Sequence, residues 1–150
     1  MTEQSAELFE KIRQQFDSAP YPSIPLEQNP KDAHDLLYIH NLVTSHYLRN
    51  QALISTGDKV ILDAGCGTGF KSLVLAEANP GAKIVGIDLS KEAVDLAKQR
   101  LQFYGFENAE FIVASIEALP ALGMEFDYIN CDDVLYLLPD IAKGLQAMKA

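Results

Sequence analysis

The chain opens with Leu8, Phe9, Ile12 and Phe16 at helical spacing while Glu7, Glu10, Lys11, Arg13 and Gln14 face away, which predicts an amphipathic helix over 5–16. Pro20, Pro22, Pro25 and Pro30 follow closely. Each fixes φ and removes a backbone donor, so 17–30 is expected to run as an extended strap over a surface. Asn29 and Pro30 then form a helix start, as cap and first-turn residue. The stripe Leu36, Ile39, Val43 and Tyr47 carries that helix from about Lys31 to Ile54, and Thr56-Gly57-Asp58 stops it.

Beyond Gly57 the pattern changes to short apolar runs alternating with helical stretches. Residues 59–63, 83–88, 110–114 and 126–131 read as strands, 70–78 and 91–104 as helices, and a further helix begins near Pro139 and Asp140. Asn79-Pro80-Gly81 ends the first of these helices, Ser90 caps the second and Gly105 closes it as a left-handed residue. Such alternation builds right-handed crossovers and a parallel sheet covered by helices on both faces. The expected fold is α/β, a doubly wound, mostly parallel sheet behind two N-terminal helices. Residues 1–56 form a helical, proline-rich cap and 57–150 a ligand-binding α/β domain, together one structural unit. The chain ends inside an uncapped helix after a fourth strand with a bare edge, so it is expected to be the N-terminal part of a longer protein.

With 150 residues, 48% apolar and 22% charged, there is enough material for a core, and a disordered chain is excluded. The net charge of −9 disfavours a broad phosphate-binding surface, so no nucleic-acid partner is expected. No apolar run approaches the roughly 20 residues of a bilayer span, and the first residues are polar, so the expected location is cytoplasmic with no membrane partner. Cys66 and Cys131 fall at strand ends outside any C-x-x-C spacing and read as small buried residues, without a catalytic role. His34, His40 and His46 recur at six-residue intervals, which spreads them around a helix, so no metal site is expected.

The informative stretch runs from Val60 to Phe70, an apolar strand entering a turn with Gly65, Gly67 and Gly69 and then a helix. Glycines there allow positive φ and let a ligand approach the main chain. The next strand ends in Asp88, 23 residues after Gly65, where a carboxylate can accept both hydroxyls of a ribose. Glycine loop and carboxylate together describe a nucleoside-bearing cofactor. A dinucleotide site prefers a small residue where Phe70 stands, and Asp63 just before the glycines would repel a pyrophosphate but attract a cation. S-adenosylmethionine, with its sulfonium and ammonium groups, suits this acidic setting better than NADP does.

VILDAGCGTGF, IVGIDLS and EFDYINCDDVLYLLPD resemble the first, second and fourth motifs of class I S-adenosylmethionine-dependent methyltransferases. The resemblance covers about residues 59–139 and implies a sheet normally of seven strands, with the cofactor across the carboxyl ends of strands one, two and four. It implies that the backbone around Gly65, Cys66, Gly67 and Gly69 holds the methionine moiety and that Asp63 reaches its amino group directly or through water. Asp88 would take the ribose hydroxyls and Leu89 would cover one adenine face. Ser115 stands where many relatives have Asp against the adenine amino group, and the Ile116 amide would serve the ring. Asn130, Cys131 and Asp132 would line the methionine end. Relatives that methylate base nitrogens or glutamine amides usually carry Asn/Asp-Pro-Pro-Tyr there. The implied acceptor is therefore a small molecule, whose O, N, S or C atom attacks the methyl in line. No residue is assigned as a catalytic base. Tyr21 and Tyr47 are the lid candidates, since family members usually place their substrate cover before the first strand. A non-catalytic cofactor-binding module and an NAD(P)-dependent oxidoreductase are the alternative functions.

Overall fold

The computed structural model describes residues 3–149. Helix α1 spans Glu3–Ser18, about a turn longer than its apolar stripe predicts, and the proline strap follows. A short 3-10 turn, Pro30–Asp32, starts as expected: the Asn29 side chain accepts from the Lys31 amide, with Pro30 in the first turn. The single helix predicted over 31–54 is instead broken into that turn, α2 (His34–Ile39) and α3 (Leu42–Asn50), so three α-helices precede the sheet rather than two.

The cause of the break lies elsewhere in the chain. Buried Asn79 donates Nδ2 to His40 O and Leu75 O, both at 2.9 Å, and its Oδ1 accepts from Leu42 N at 2.6 Å. Asn41 accepts from Thr44 N as the cap of α3 and donates to Ala78 O. His40 and Leu42 are therefore turned inward, while Ile39 and Tyr47 of the predicted buried stripe are exposed.

Strands β1 (Val60–Ala64), β2 (Lys83–Asp88), β3 (Ala109–Val113) and β4 (Tyr128–Asn130) form one parallel sheet in the order β3-β2-β1-β4. Between them lie α4 (Phe70–Ala78) and α5 (Lys91–Phe103), and α6 (Ile141–Lys149) follows β4. Alternate strand residues supply two core layers, because successive side chains point to opposite faces. Ile61 and Ile84 pack with Leu73, Val94 and Leu101 of α4 and α5. Leu62, Val85 and Ile87 pack with Ile116 and Leu119 of a 3-10 helix, Ile116–Leu122. The N-terminal elements lie against the first of these faces, α1 on α5 and α2 on α4.

After β1 the chain moves outward to β2 and β3, then returns to place β4 on the other side of β1. Strand order thus reverses beside β1, and such a switch point opens a crevice at the carboxyl ends of an open α/β sheet. Among the described residues, no helix is long and apolar enough to cross a membrane.

Candidate functional site

The turn between β1 and α4 is built on Gly65, Gly67 and Gly69, with φ values of 80°, 50° and 81°. The amides of Gly65 and Cys66 both donate to Ile87 O at 2.9 Å, which fixes the loop against the end of β2. Asp88 is the next residue along β2. Its Oδ2 accepts from Gly67 N and its Oδ1 from Ser90 N, each at 2.9 Å. Each oxygen of an ionised carboxylate has two lone-pair sites, so both retain acceptor capacity for a ligand. Burial pushes the Asp88 carboxyl above its ordinary value, against the pull of its backbone hydrogen bonds.

Above this loop lies a cleft of about 290 Å³. Gly65, Cys66, Gly67, Asp88 and Leu89 line it together with Ser115 and Ile116 of the next crossover. The segment after β4 adds Asp132, Asp133, Val134, Leu137 and Leu138. From the N-terminal part come Phe9, Ile12 and Phe16 of α1, and Tyr21, Pro22 and Ile24 of the strap. Three carboxylates face one ammonium group, Lys71, which is already paired with Asp132. The charge pattern favours a cationic ligand, and among the described cleft residues no unpaired cationic side chain faces a pyrophosphate.

Most residues singled out in the sequence converge on this cleft, including exposed Tyr21, but five do not line it. Asp63 lies beneath the loop, 2% exposed, where its oxygens accept from Ser72 Oγ at 2.6 Å and Asn130 Nδ2 at 2.9 Å. Burial raises its carboxyl, and those two hydrogen bonds oppose the rise. Its place is therefore behind the glycine loop, tying β1 to α4 and β4. Asn130 is correspondingly buried as its partner. Gly69 faces α5, where a Cβ would come within 2.7 Å of Ala97. Cys131 is half-buried beside the cleft, its thiol pushed up to about 11 by desolvation, and Cys66 is raised well above its ordinary value by burial and by Asp63 and Asp88. Neither thiol is a nucleophile at neutral pH. Tyr47 stands on the exposed face of α3, away from the cleft, because the break at His40 and Asn41 rotates that helix out of the predicted stripe.

Thr68 and Arg100 were not singled out by the sequence patterns, although both tie the strap to the loop. Arg100 left one signal, a charged residue beside Ala97 and Leu101 on the buried stripe of α5.

The arrangement fits S-adenosylmethionine on two observations: acceptor capacity on Asp88 for a diol, and a cleft lined by Asp88, Asp132 and Asp133 that suits a cationic ligand. A methyltransferase domain model matches residues 55–150. The chain is 34% identical over 139 residues to an uncharacterized protein of Synechococcus sp., covering 89% of this chain and 32% of that protein. It is 41% identical over 87 residues to a magnesium-protoporphyrin O-methyltransferase of Rhodobacter capsulatus, covering 57% and 37% of the two chains. It thus spans about a third of the length of these relatives. The fold matches that of the magnesium protoporphyrin IX methyltransferase from Synechocystis, solved with bound S-adenosylmethionine. The TM-score is 0.65 at 23% identity, over 98% of this chain and 73% of that one. A glycine loop at the switch point, an aspartate with acceptor capacity at the end of β2 and the match over 55–150 converge: the chain belongs to the methyltransferase domain family.

Proposed function

We propose that the protein binds S-adenosylmethionine in the cleft and that its methyl group passes to an apolar small-molecule acceptor. The observation that carries this reading is Asp88, held between the amides of Gly67 and Ser90 with acceptor capacity left over at the end of β2. Asp88 accepts the ribose hydroxyls, and Leu89, Ser115 and Ile116 lie where an adenine extends from it. Gly65 and Gly67 bring main-chain atoms into the cleft wall beside the amino-acid end, and the acidic side chains stabilise its cationic groups. The cofactor supplies an electrophilic methyl on sulfur, activated by the positive charge.

The remaining walls are mainly apolar. Phe9, Ile12 and Phe16 of α1 and Val134, Leu137 and Leu138 after β4 exclude water and suit an acceptor with an uncharged ring or chain. Bringing acceptor and methyl into line there supplies rate through proximity and orientation, with no strong protein base needed. The test is transfer from methyl-labelled cofactor to a panel of apolar phenols, amines and thiols. Labelled product from at least one class is expected. Cofactor binding without transfer to any of them would overturn the enzyme reading in favour of a binding module.

A further inference from the structure

Arg100 is 4% exposed on α5, among the core residues Ala97 and Leu101. A guanidinium keeps its charge in any protein setting, and a buried charge is costly unless its donors are satisfied. Its recorded hydrogen bonds all go to main-chain carbonyls. Nε donates to Thr68 O at 3.0 Å, Nη1 to Pro25 O at 2.9 Å and Nη2 to Ile24 O at 2.7 Å. Cζ lies 5.9 Å from the centroid of the Phe70 ring, within cation–π range.

Thr68 completes the same seam from inside the glycine loop. Its amide donates to Tyr21 O at 3.1 Å and its Oγ1 to Pro22 O at 2.6 Å. Two residues thus bind the carbonyls of Tyr21, Pro22, Ile24 and Pro25. Proline lacks an amide donor but keeps its carbonyl, so a proline-rich strap offers such a row of acceptors. Gly67 belongs to the seam as well, since a Cβ there would collide with Tyr21 O. Neither Thr68 nor Arg100 lines the cleft, yet most of what they join does: Gly67 holds Asp88, and Tyr21, Pro22 and Ile24 form part of the wall.

We propose that Arg100, with Thr68, is a positioning residue that locks the proline strap onto the glycine loop, so that strap closure and the ligand-holding shape of the loop form one cooperative unit. The inference rests on the cofactor reading above for its effect on binding, but the lock itself is testable without ligand. Hydrogen exchange reads local opening amide by amide. In Arg100→Gln, the amides of Thr68 and Ile24, which donate to Tyr21 O and Pro22 O, should exchange about tenfold faster, while the Ile84 amide in the sheet keeps its protection. S-adenosylhomocysteine should bind Arg100→Gln at least about fivefold more weakly, a loss in line with removing charged hydrogen bonds. Arg100→Lys, which can reach one carbonyl, should recover part of it. Thr68→Val keeps the amide and loses only Oγ1, and gives a smaller effect at the same sites if Arg100→Gln does not fold. Unchanged strap exchange, or acceleration spread equally through the sheet, overturns the lock. If S-adenosylhomocysteine binds the parent chain and Arg100→Gln equally, the coupling is overturned. Should the parent chain itself not bind, the cofactor reading fails, and the exchange data still decide the lock.

Discussion

Part-buried Asp88 and fully buried Asp63 stand at the ends of neighbouring strands with opposite tasks. Asp88 meets two amides and opens to the cleft, whereas Asp63 meets two side chains and is closed off. Asp88→Ala should weaken S-adenosylhomocysteine binding by about 1–3 kcal/mol in calorimetry, the usual loss for hydrogen bonds to a charged group. Unchanged affinity would remove Asp88 from the site. For Asp63 the consequence is a pH dependence of stability. Burial raises its carboxyl above the ordinary 3.8, so the folded chain retains a proton that the unfolded chain releases. That contribution is complete below 3.8 and is lost as the pH rises through the raised value. The urea midpoint of Asp63→Asn relative to the parent should therefore climb as the pH rises above 3.8. A pH-independent difference would contradict this. The sequence expects Asp63 to reach a cofactor's amino group, whereas its direction is set by Ser72 and by Asn130 on β4, partners that no local pattern reveals.

At the scale of elements, legibility follows the range of the forces involved. Strand β2, helix α4 and the start of α5 match their expected bounds because runs of branched residues, the Asn79-Pro80-Gly81 breaker and the Ser90 cap act within a few residues of themselves. The helix expected over 31–54 fails because Asn79, far along the chain, claims His40 O and Leu42 N. Asn79→Ala should leave those groups without their partner and lower stability by about 1–3 kcal/mol, read as a shift in melting temperature. A neutral substitution would mean that water or backbone rearrangement satisfies them. Gly69→Ala should also destabilise the chain, by more than about 1 kcal/mol, through strain at positive φ. Its φ of 81° and a Cβ 2.7 Å from Ala97 would force α4 and α5 apart, and a wild-type urea midpoint would refute that packing constraint. The strap was legible as an extended segment, whereas its anchors Thr68 and Arg100 act across the fold and were not.

For the molecule as a whole, the order β3-β2-β1-β4 puts the glycine loop, Asp88 and the acidic residues after β4 around one crevice. The N-terminal cap brings α1 and the strap to the same place, which makes the cleft a joint product of both parts of the chain. The central claim is that this crevice holds a cationic nucleoside cofactor rather than a dinucleotide. Isothermal titration with S-adenosylhomocysteine, beside NADH and NADPH on the same folded sample, tests it most directly. Saturable binding of S-adenosylhomocysteine alone, weakened in Asp88→Ala, is the predicted result. Binding of either nicotinamide dinucleotide in its place, or no binding of S-adenosylhomocysteine by a chain whose circular dichroism shows it folded, would contradict it.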